Sequence, residues 1–403
     1  MQRSIIEQIQ TMASVPQTSV SIKEMVKFGY SPKPKVMYGG SLFLLNQLPI
    51  RLAHRVVELE KLPHDLSQMP SIQVVKGWYT QSCAELLAFQ NQVNAADLSI
   101  ASNYYNEDPV GKLSDAQIME FNLKFVACLD KIKRRHDPTT TTVAKGVIEL
   151  KRHWKTINSP FDTTAVLLPT SIQSFLDRFY MSRIGIRMLL GQHISLVTAS
   201  QNSRSSSESH VGIICTETNL QEIIQDAIDN SRFICSQHFG VEGPEINIIG
   251  DPDLKFMYVP SHLHHCIFEL LKNSLRAVVE RFGPDCEEFP PINVVVAEGR
   301  EDITIKISDE GGGIARSGMP LIWTYMYTTG ENPLLEDEDK RDDFLAPLAG
   351  YGYGLPLSRL YSRYFGGDLR LISMEGLPFL ILGYGTDAYL HLSRLSDSDE
   401  PLP

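Results

Sequence analysis

Apolar residues recur at helical spacing through most of residues 1–200. Ile50, Ala53, His54, Val57 and Leu59 follow one repeat, and Phe121 to Lys133 and Ile172 to Leu190 carry the same long period. That period predicts amphipathic helices. Pro16, Pro32, Pro34, Pro49, Pro63 and Pro70 are expected to punctuate the early ones. The polar, serine-rich run Asn202-Ser-Arg-Ser-Ser-Ser-Glu-Ser209 marks the expected boundary between two domains. Beyond it the period changes. Val211–Cys215, Ile246–Ile249, Phe256–Val259, Ile292–Ala297, Ile303–Ser308, Leu369–Ser373 and Ala388–Leu392 read as strands, and in Ile303–Ser308 isoleucines alternate with Thr304, Lys306 and Ser308. Leu220–His238, His262–Phe282 and Leu355–Phe365 read as helices, the last with Pro356 in its first turn. The expected fold class is α+β: an N-terminal helical domain over 1–205, an α/β sandwich over 206–395 and a tail over 396–403. No internal repeat is visible.

The chain has 403 residues, enough for about two domains of ordinary size. Hydrophobic residues make up 43% and charged residues 21%, the balance of a soluble globular protein. A net charge of -11 argues against nucleic acid as the main partner. Six widely spread cysteines without a CxxC pair point to free thiols in a reducing compartment, with no disulfide framework or zinc site. No apolar run reaches membrane-span length, and the first residues carry neither a secretory h-region nor an Arg-rich, acid-poor presequence.

Three short motifs carry candidate chemistry. In the first, Glu269-Leu-Leu-Lys-Asn273, helical geometry gathers Ile267, Leu270, Leu271, Ser274, Leu275 and Val278 on one face. It puts His265, Glu269, Lys272, Asn273 and Arg276 on the other. The second face can line a cleft. There Glu269 can serve as a general base with His265 hydrogen-bonded to it, and Asn273 can offer a neutral oxygen to Mg2+. Taken alone, the same face reads as an ordinary solvated one with an i,i+3 Glu-Lys pair. In the second motif, Asp309-Glu-Gly-Gly-Gly-Ile314, an acid ends a strand and a glycine cluster including Gly311 and Gly313 follows it. A carboxylate there can accept from an adenine amino group, although a strand-ending acid before a flexible turn has the same pattern. In the third, Gly350-Tyr-Gly-Tyr-Gly-Leu355, glycines open a helix and bare amides can hold phosphates; a linker or helix cap looks alike. The spacing is neither a Walker A loop nor a Rossmann fingerprint. Between the last two motifs, Thr328-Thr-Gly-Glu-Asn-Pro333 and the acidic Leu334–Asp343 read as a lid or a surface loop. In the helical half, Tyr79 beside Trp78, His136 and Arg183 can hold a small anion, or they are helix-packing residues with satisfied tips.

Together these residues resemble the mitochondrial pyruvate dehydrogenase kinase family, within the GHKL class of ATPases and kinases. The resemblance is carried by Leu48-Pro-Ile-Arg-Leu-Ala53, Pro70-Ser-Ile-Gln-Val-Val75, Phe175-Leu-Asp-Arg-Phe-Tyr180 and Ser182-Arg-Ile-Gly-Ile-Arg-Met188 in the first half. Val259-Pro-Ser-His-Leu263, Tyr325-Met-Tyr327, the Gly350–Tyr361 string and Gly385-Thr-Asp387 carry it in the second. It implies a four-helix bundle followed by a histidine-kinase-like ATP-binding domain. It also implies serine phosphorylation of the pyruvate dehydrogenase E1 alpha subunit, which switches that complex off. By match to the family, Glu269 is the base, His265 its partner and Asn273 the Mg2+ ligand. Asp309 and Thr386 hold adenine, while Thr328, Thr329, Gly350, Tyr351, Gly352, Tyr353, Gly354 and Leu355 reach ribose or phosphates, flanked by Lys272 and Arg276. Tyr79, His136 and Arg183 match a regulatory pocket for pyruvate-like anions. The family further implies ATP with Mg2+ and K+, a homodimer, docking on the lipoyl domain of the E2 core, and the mitochondrial matrix.

The chain departs from the family pattern at Leu377–Gly383, an apolar stretch between Gly376 and Tyr384, and at Pro160–Thr170 before the Ile172 helix. The first departure is expected to displace Thr386 and weaken ATP binding. Three other readings compete: a branched-chain α-ketoacid dehydrogenase kinase, a histidine kinase, and a catalytically weak scaffold paralogue. Ser358-Arg-Leu-Tyr361 and Tyr325-Met-Tyr-Thr-Thr329 fit the pyruvate enzyme better than the first. His193-Ile-Ser195 and His136-Asp-Pro138 lack the acceptor pattern of the second.

Overall fold

Seven helices build the first half of a computed structural model that describes residues 2–30, 33–95, 114–157, 168–201, 209–328, 352–375 and 385–402. They are α1 (Gln2–Met12), α2 (Ile22–Gly29), α3 (Pro34–Glu60), α4 (Pro70–Ala95), α5 (Asp115–Arg135), α6 (Thr139–Thr156) and α7 (Thr170–Gln201). Their starts are written locally. Ser21 with Glu24 and Ser114 with Gln117 form capping boxes on α2 and α5, and Pro34 opens α3 where its missing N–H costs nothing. Pro49 corrects the sequence reading: it lies inside α3 and does not end it. A mid-helix proline forfeits a backbone hydrogen bond. Here the fully buried Leu45, Leu48, Leu52 and Ala53 around it hold the helix together through packing.

The chain divides into two compact units. The first comprises Met1–Ala165, Arg178–Ile214 and Pro401–Pro403; the second comprises Val166–Asp177 and Cys215–Glu400. In the first unit the long helices α3, α4, α5 and α7 form a bundle, joined by α6. Ser41 of α3 donates to Asn122 Oδ1 of α5 at 2.9 Å and meets His193 Nε2 of α7 at 2.9 Å. Burial lowers the His193 imidazole to about 4, so it is neutral at pH 7. Glu58 of α3 pairs with Arg55 on its own helix and with Arg178 of α7. The Val211–Cys215 strand of the sequence reading is two strands, β1 (His210–Val211) and β2 (Ile214–Asn219). Gln192 causes the break: its amide donates to Val211 O and accepts from Ile213 N, both at 2.9 Å, and holds the intervening residues out of the ladder.

The second unit contains α8 (Leu220–Phe239), β3 (Ile246–Ile249), β4 (Lys255–Tyr258), α9 (Pro260–Phe282), β5 (Ile292–Glu298), β6 (Asp302–Ser308), α10 (Gly354–Tyr364), β7 (Asp368–Ser373) and β8 (Thr386–Ser393). β2 pairs antiparallel with β4. The main sheet runs β3-β5-β6-β8-β7, with β3 and β5 parallel and the remaining pairs antiparallel. Period-2 alternation sets its register. Ile303, Ile305 and Ile307 lie opposite Leu392, Leu390 and Ala388, and all six are buried. The apolar face of α9 (Ile267, Leu271, Leu275, Val278) is buried with them, giving a two-layer α/β sandwich whose upper layer is α8, α9 and α10. As far as Glu400 the chain after β8 stays with this unit: Tyr364 donates to Glu400, and Ser396 donates to Met257 O at 3.2 Å. All six cysteines are free. Among the described residues no helix is long and apolar enough to cross a membrane. The stretch Leu377–Gly383 and most of Pro160–Thr170 lie outside the described residues, as does the proposed lid from Thr329 to Asp343.

Candidate active site

The polar edge of α9, the end of β6 and the start of α10 enclose a cleft of about 510 Å³. Glu269, Lys272, Asn273, Arg276, Asp309, Gly311, Gly313, Thr328, Gly352, Gly354, Leu355 and Thr386 all line it. Twelve residues from five separated stretches therefore meet in one place, as their helix and strand positions allow. Thr329, Gly350 and Tyr351 lie outside the described residues. Tyr353 is buried behind the cleft wall, its ring 5.1 Å from that of Tyr325. The first turns of α7 fix that wall: Gln173 Oε1 accepts from Tyr325 N at 2.9 Å, and Asp177 accepts from the Tyr325 hydroxyl at 2.9 Å.

At one end of the cleft Asp309 is held by three donors. Oδ1 accepts from Gly311 N at 2.9 Å and Thr386 N at 3.2 Å, and Oδ2 accepts from Ser274 Oγ at 2.8 Å. Burial pushes its carboxyl up from the ordinary aspartate value, and the three hydrogen bonds pull the other way by favouring the ionised form. Gly312 and Gly313 adopt φ of +90° and +76°, the backbone that the glycine cluster predicted. Thr386 stands beside Asp309, its backbone amide donating to Oδ1. Apolar walls come from Ala277, Ile314, Ile322, Leu371 and Ala388. The sequence reading missed these, and Ser274 as a partner of Asp309. Ser274 had a signal, standing one residue after Asn273 on α9; Leu371 and Ala388 had none, because only the β7–β8 register brings them together.

At the other end stands Glu269. Its Oε1 accepts from Lys272 Nζ at 2.9 Å, and both side chains are mostly out of solvent, at 8% exposure for Lys272 and 14% for Glu269. The i,i+3 Glu-Lys pair expected of an ordinary solvated face is therefore present, but it is a buried pair inside a cleft. Lys272 also lies over the Phe268 ring at 5.3 Å. His265, one turn before Glu269, does not line the cleft. Its ring packs on Tyr361 of α10 at 5.0 Å, burial lowers its pKa, and its Nε2 is shut off from solvent without a partner among the described residues. Asn273 projects into the cleft among these groups. No cluster of three His, Cys, Asp or Glu suited to a metal exists among the described residues. Any ion here would thus take most of its ligands from something other than protein carboxylates, which suits Mg2+ held largely by phosphates and water.

Tyr79, His136 and Arg183 also come together, in the first unit. The rings of Tyr79 and His136 stack at 4.3 Å, and Arg183 Nη2 donates to the carbonyls of His136 and Asp137 at 3.3 Å each. Burial holds the Tyr79 hydroxyl up at about 12 and the His136 imidazole down at about 4, so both are neutral at pH 7. The positive charge here belongs to Arg183, Arg135 and Arg187. Arg135 is bound to Ser82 and Glu85, and Arg187 to Asp137. Arg183 Nε is buried with no partner among the described residues. Ser82 and Arg187, one turn along from Tyr79 and Arg183, were legible by helical spacing and were missed.

Comparison with known proteins agrees with this architecture. Residues 258–395 match the family described as histidine kinase-, DNA gyrase B- and HSP90-like ATPases, whose members bind ATP. Residues 19–215 match the family described as mitochondrial branched-chain alpha-ketoacid dehydrogenase kinase. Over full length the chain is 42% identical to the mitochondrial [pyruvate dehydrogenase (acetyl-transferring)] kinase of Schizosaccharomyces pombe, covering 99% of each chain. It is 44% identical to the Arabidopsis thaliana enzyme of the same name, over 100% of this chain and 97% of that one. To the human isozyme 3 it is 37% identical, over 100% and 89%. At such identity across whole chains, the protein belongs to the family of the pyruvate dehydrogenase (acetyl-transferring) kinases, protein-serine kinases with a histidine kinase-like ATP-binding domain.

Proposed function

We propose that the chain transfers the terminal phosphoryl group of ATP to a serine of the E1 alpha subunit of pyruvate dehydrogenase, in the mitochondrial matrix, and so switches that complex off. The observation that carries this reading is the single cleft in which Glu269, Asn273, Asp309 and Thr386 meet, in a chain 42–44% identical to kinases of that name over nearly its whole length. Asp309, already oriented by three donors, accepts from the adenine amino group while Ala277, Ile314, Leu371 and Ala388 cover the ring faces. Glu269 takes the proton of the serine hydroxyl as its oxygen attacks phosphorus, and the neutral His265 imidazole steadies the carboxylate. The amides at the start of α10, with Lys272 and Arg276, meet the charge of the phosphates. Asn273 would hold Mg2+, which would supply charge neutralisation for the phosphates, with K+ as an accompanying ion. Thr328, Gly352 and Leu355 complete the wall; Thr329, Gly350 and Tyr351, which lie outside the described residues, are assigned to the same nucleotide by their match to the family.

The helical half, residues 1–205, is the regulatory part and the part that docks on the lipoyl domain of the E2 core. Its Tyr79–His136–Arg183 cluster receives a pyruvate-like anion, with the buried Arg183 Nε as the unspent donor. Residues 206–395 are the catalytic domain, 396–403 a tail, and the working particle is a homodimer. The test is transfer of labelled phosphate from Mg-ATP to purified pyruvate dehydrogenase E1, with branched-chain E1 in parallel. Serine labelling of the pyruvate enzyme is expected, falling about 10²–10⁴-fold in Glu269→Gln. Labelling of the branched-chain protein alone would reassign the substrate, and equal labelling by the variant would remove Glu269 from its role.

A further inference from the structure

The base proposed above is already engaged, by groups that a phosphate would also want. Glu269 Oε1 accepts from Lys272 Nζ at 2.9 Å, and Lys272 is only 8% exposed. Glu269 Oε2 lies against Gly354, the first residue of α10, so closely that a Cβ there would overlap it. The carboxylate thus sits between the cleft's buried ammonium and the positive end of an 11-residue helix. With Arg276, these are the features that suit the cleft to a polyphosphate. Meanwhile His265 Nε2, one turn away on the same helix, is closed off from solvent with no partner among the described residues. A carboxylate bonded to a lysine is a poor proton acceptor, and an imidazole left beside it unbonded is a costly neighbour.

We propose that Glu269 and the nucleotide's phosphates compete for Lys272 and the start of α10, so that Lys272 masks the base until a polyphosphate takes over its ammonium. The exchange balances charge. Lys272 passes from one anion to another, and the released carboxylate turns toward His265 and the incoming hydroxyl. Lys272 is then a positioning residue for the base as well as a phosphate contact, and the base is unmasked only with the phosphoryl donor in place. This inference rests on the reading of the cleft as an ATP site with Glu269 as base, but it concerns binding and is tested without turnover.

The test is calorimetric titration of a non-hydrolysable ATP analogue and of adenosine into four full-length proteins: wild type, Glu269→Gln, Lys272→Met and the double variant. Removing the competitor should tighten the triphosphate analogue about fivefold in Glu269→Gln, the size of one charged hydrogen bond exchanged for another, and leave adenosine unchanged. In the Lys272→Met background the same substitution should gain less than about twofold, because no ammonium is left to compete for. No tightening in Glu269→Gln overturns the proposal. So does an equal gain with and without Lys272, which would reveal plain like-charge repulsion in the complex. Thermal melts check each fold, with Lys272→Gln as the substitute if Lys272→Met fails to fold. Labelling of E1 by the same wild-type preparation separates the two ideas: tight analogue binding without transfer would sink the kinase reading and leave the competition standing.

Discussion

In the nucleotide cleft polar side chains face about 510 Å³ of open volume, whereas around Tyr79, His136 and Arg183 they face one another. The cleft keeps its adenine end rigid: Asp309 has three short-range donors, two of them backbone amides. Its phosphate end is held by a single long side chain, Lys272. The anion cluster spends its polar capacity internally. A stacked ring pair, two carbonyls under Arg183, and carboxylates on Arg135 and Arg187 leave Arg183 Nε buried without a partner among the described residues. A site for a large ligand is thus visible as space. The site proposed for a small one shows only as a buried donor without a partner among the described residues.

The rigid end of the cleft gives the largest expected effect. A Cβ on Gly385 would overlap the Asp309 carbonyl oxygen, so Gly385→Ala must push β8 from β6 or turn Asp309 away. Overpacking of this kind costs about 1–3 kcal/mol. Nucleotide affinity, read by calorimetry, should fall about 100-fold, because the strain falls on Asp309, the residue proposed to read the base. Retained affinity would mean that Asp309 is not fixed by its surroundings, and the contrast with Glu269 would fail.

Asp309→Asn is the sharper, milder change. The two backbone amides on Oδ1 should keep the asparagine oxygen on their side and present its NH2 where Oδ2 now points. Adenine then meets a donor with its own donor, and ATP affinity should drop about 10- to 30-fold. Inosine triphosphate, with an acceptor at that ring position, should lose far less. An equal loss for both would show that Asp309 supports the wall and does not read the base.

Much of this cleft could be read in the sequence, for a physical reason. Helix and strand periods fix which side chains share a face, so α9 delivered Glu269, Lys272, Asn273 and Arg276 to one edge. The isoleucines of β6 likewise placed Asp309 at the end of a buried strand. Register and burial of charge were not legible. Leu371 and Ala388 meet only through the antiparallel pairing of β7 and β8. Lys272 reads as a solvated cation, yet its ammonium is buried, bonded to Glu269 and lying over the Phe268 ring. Pro49 was expected to punctuate a helix because its cost is local, while the packing that overrides that cost comes from the rest of the bundle. The Gln192 bonds that split β1 from β2 join residues 19 and 21 positions apart and leave no periodic trace.

In the anion cluster, Arg183→Met removes the unspent donor. The concentration of pyruvate needed for half-inhibition of E1 phosphorylation should rise about tenfold, the loss of one charge-assisted contact. Nucleotide affinity should be unchanged. A shift in both would deny the two regions separate ligands.

The smallest expected effect concerns the proton. His136 and His193 are buried and both sit near 4 in the folded chain, depressed by burial from the ordinary 6.5. A histidine whose folded value is depressed must be neutral to stay folded. Its contribution is intact above pH 6.5, declines as pH falls from there toward 4, and changes no further below that. By pH 6 each should have cost about 1 kcal/mol of stability relative to pH 8. The urea midpoint should therefore fall over that interval for wild type, and fall less for His193→Gln, whose amide can still meet Ser41 but does not titrate. His136 offers the stricter comparison, because it borders the proposed anion site. A pyruvate-like anion beside a charged imidazole would favour protonation, so saturating pyruvate should flatten the pH 8 to 6 decline in wild type and leave it steep in Arg183→Met. If pyruvate leaves the slope unchanged in both proteins, the ring stack of Tyr79 and His136 is packing alone, and the second region is a core with an orphaned donor, not a site.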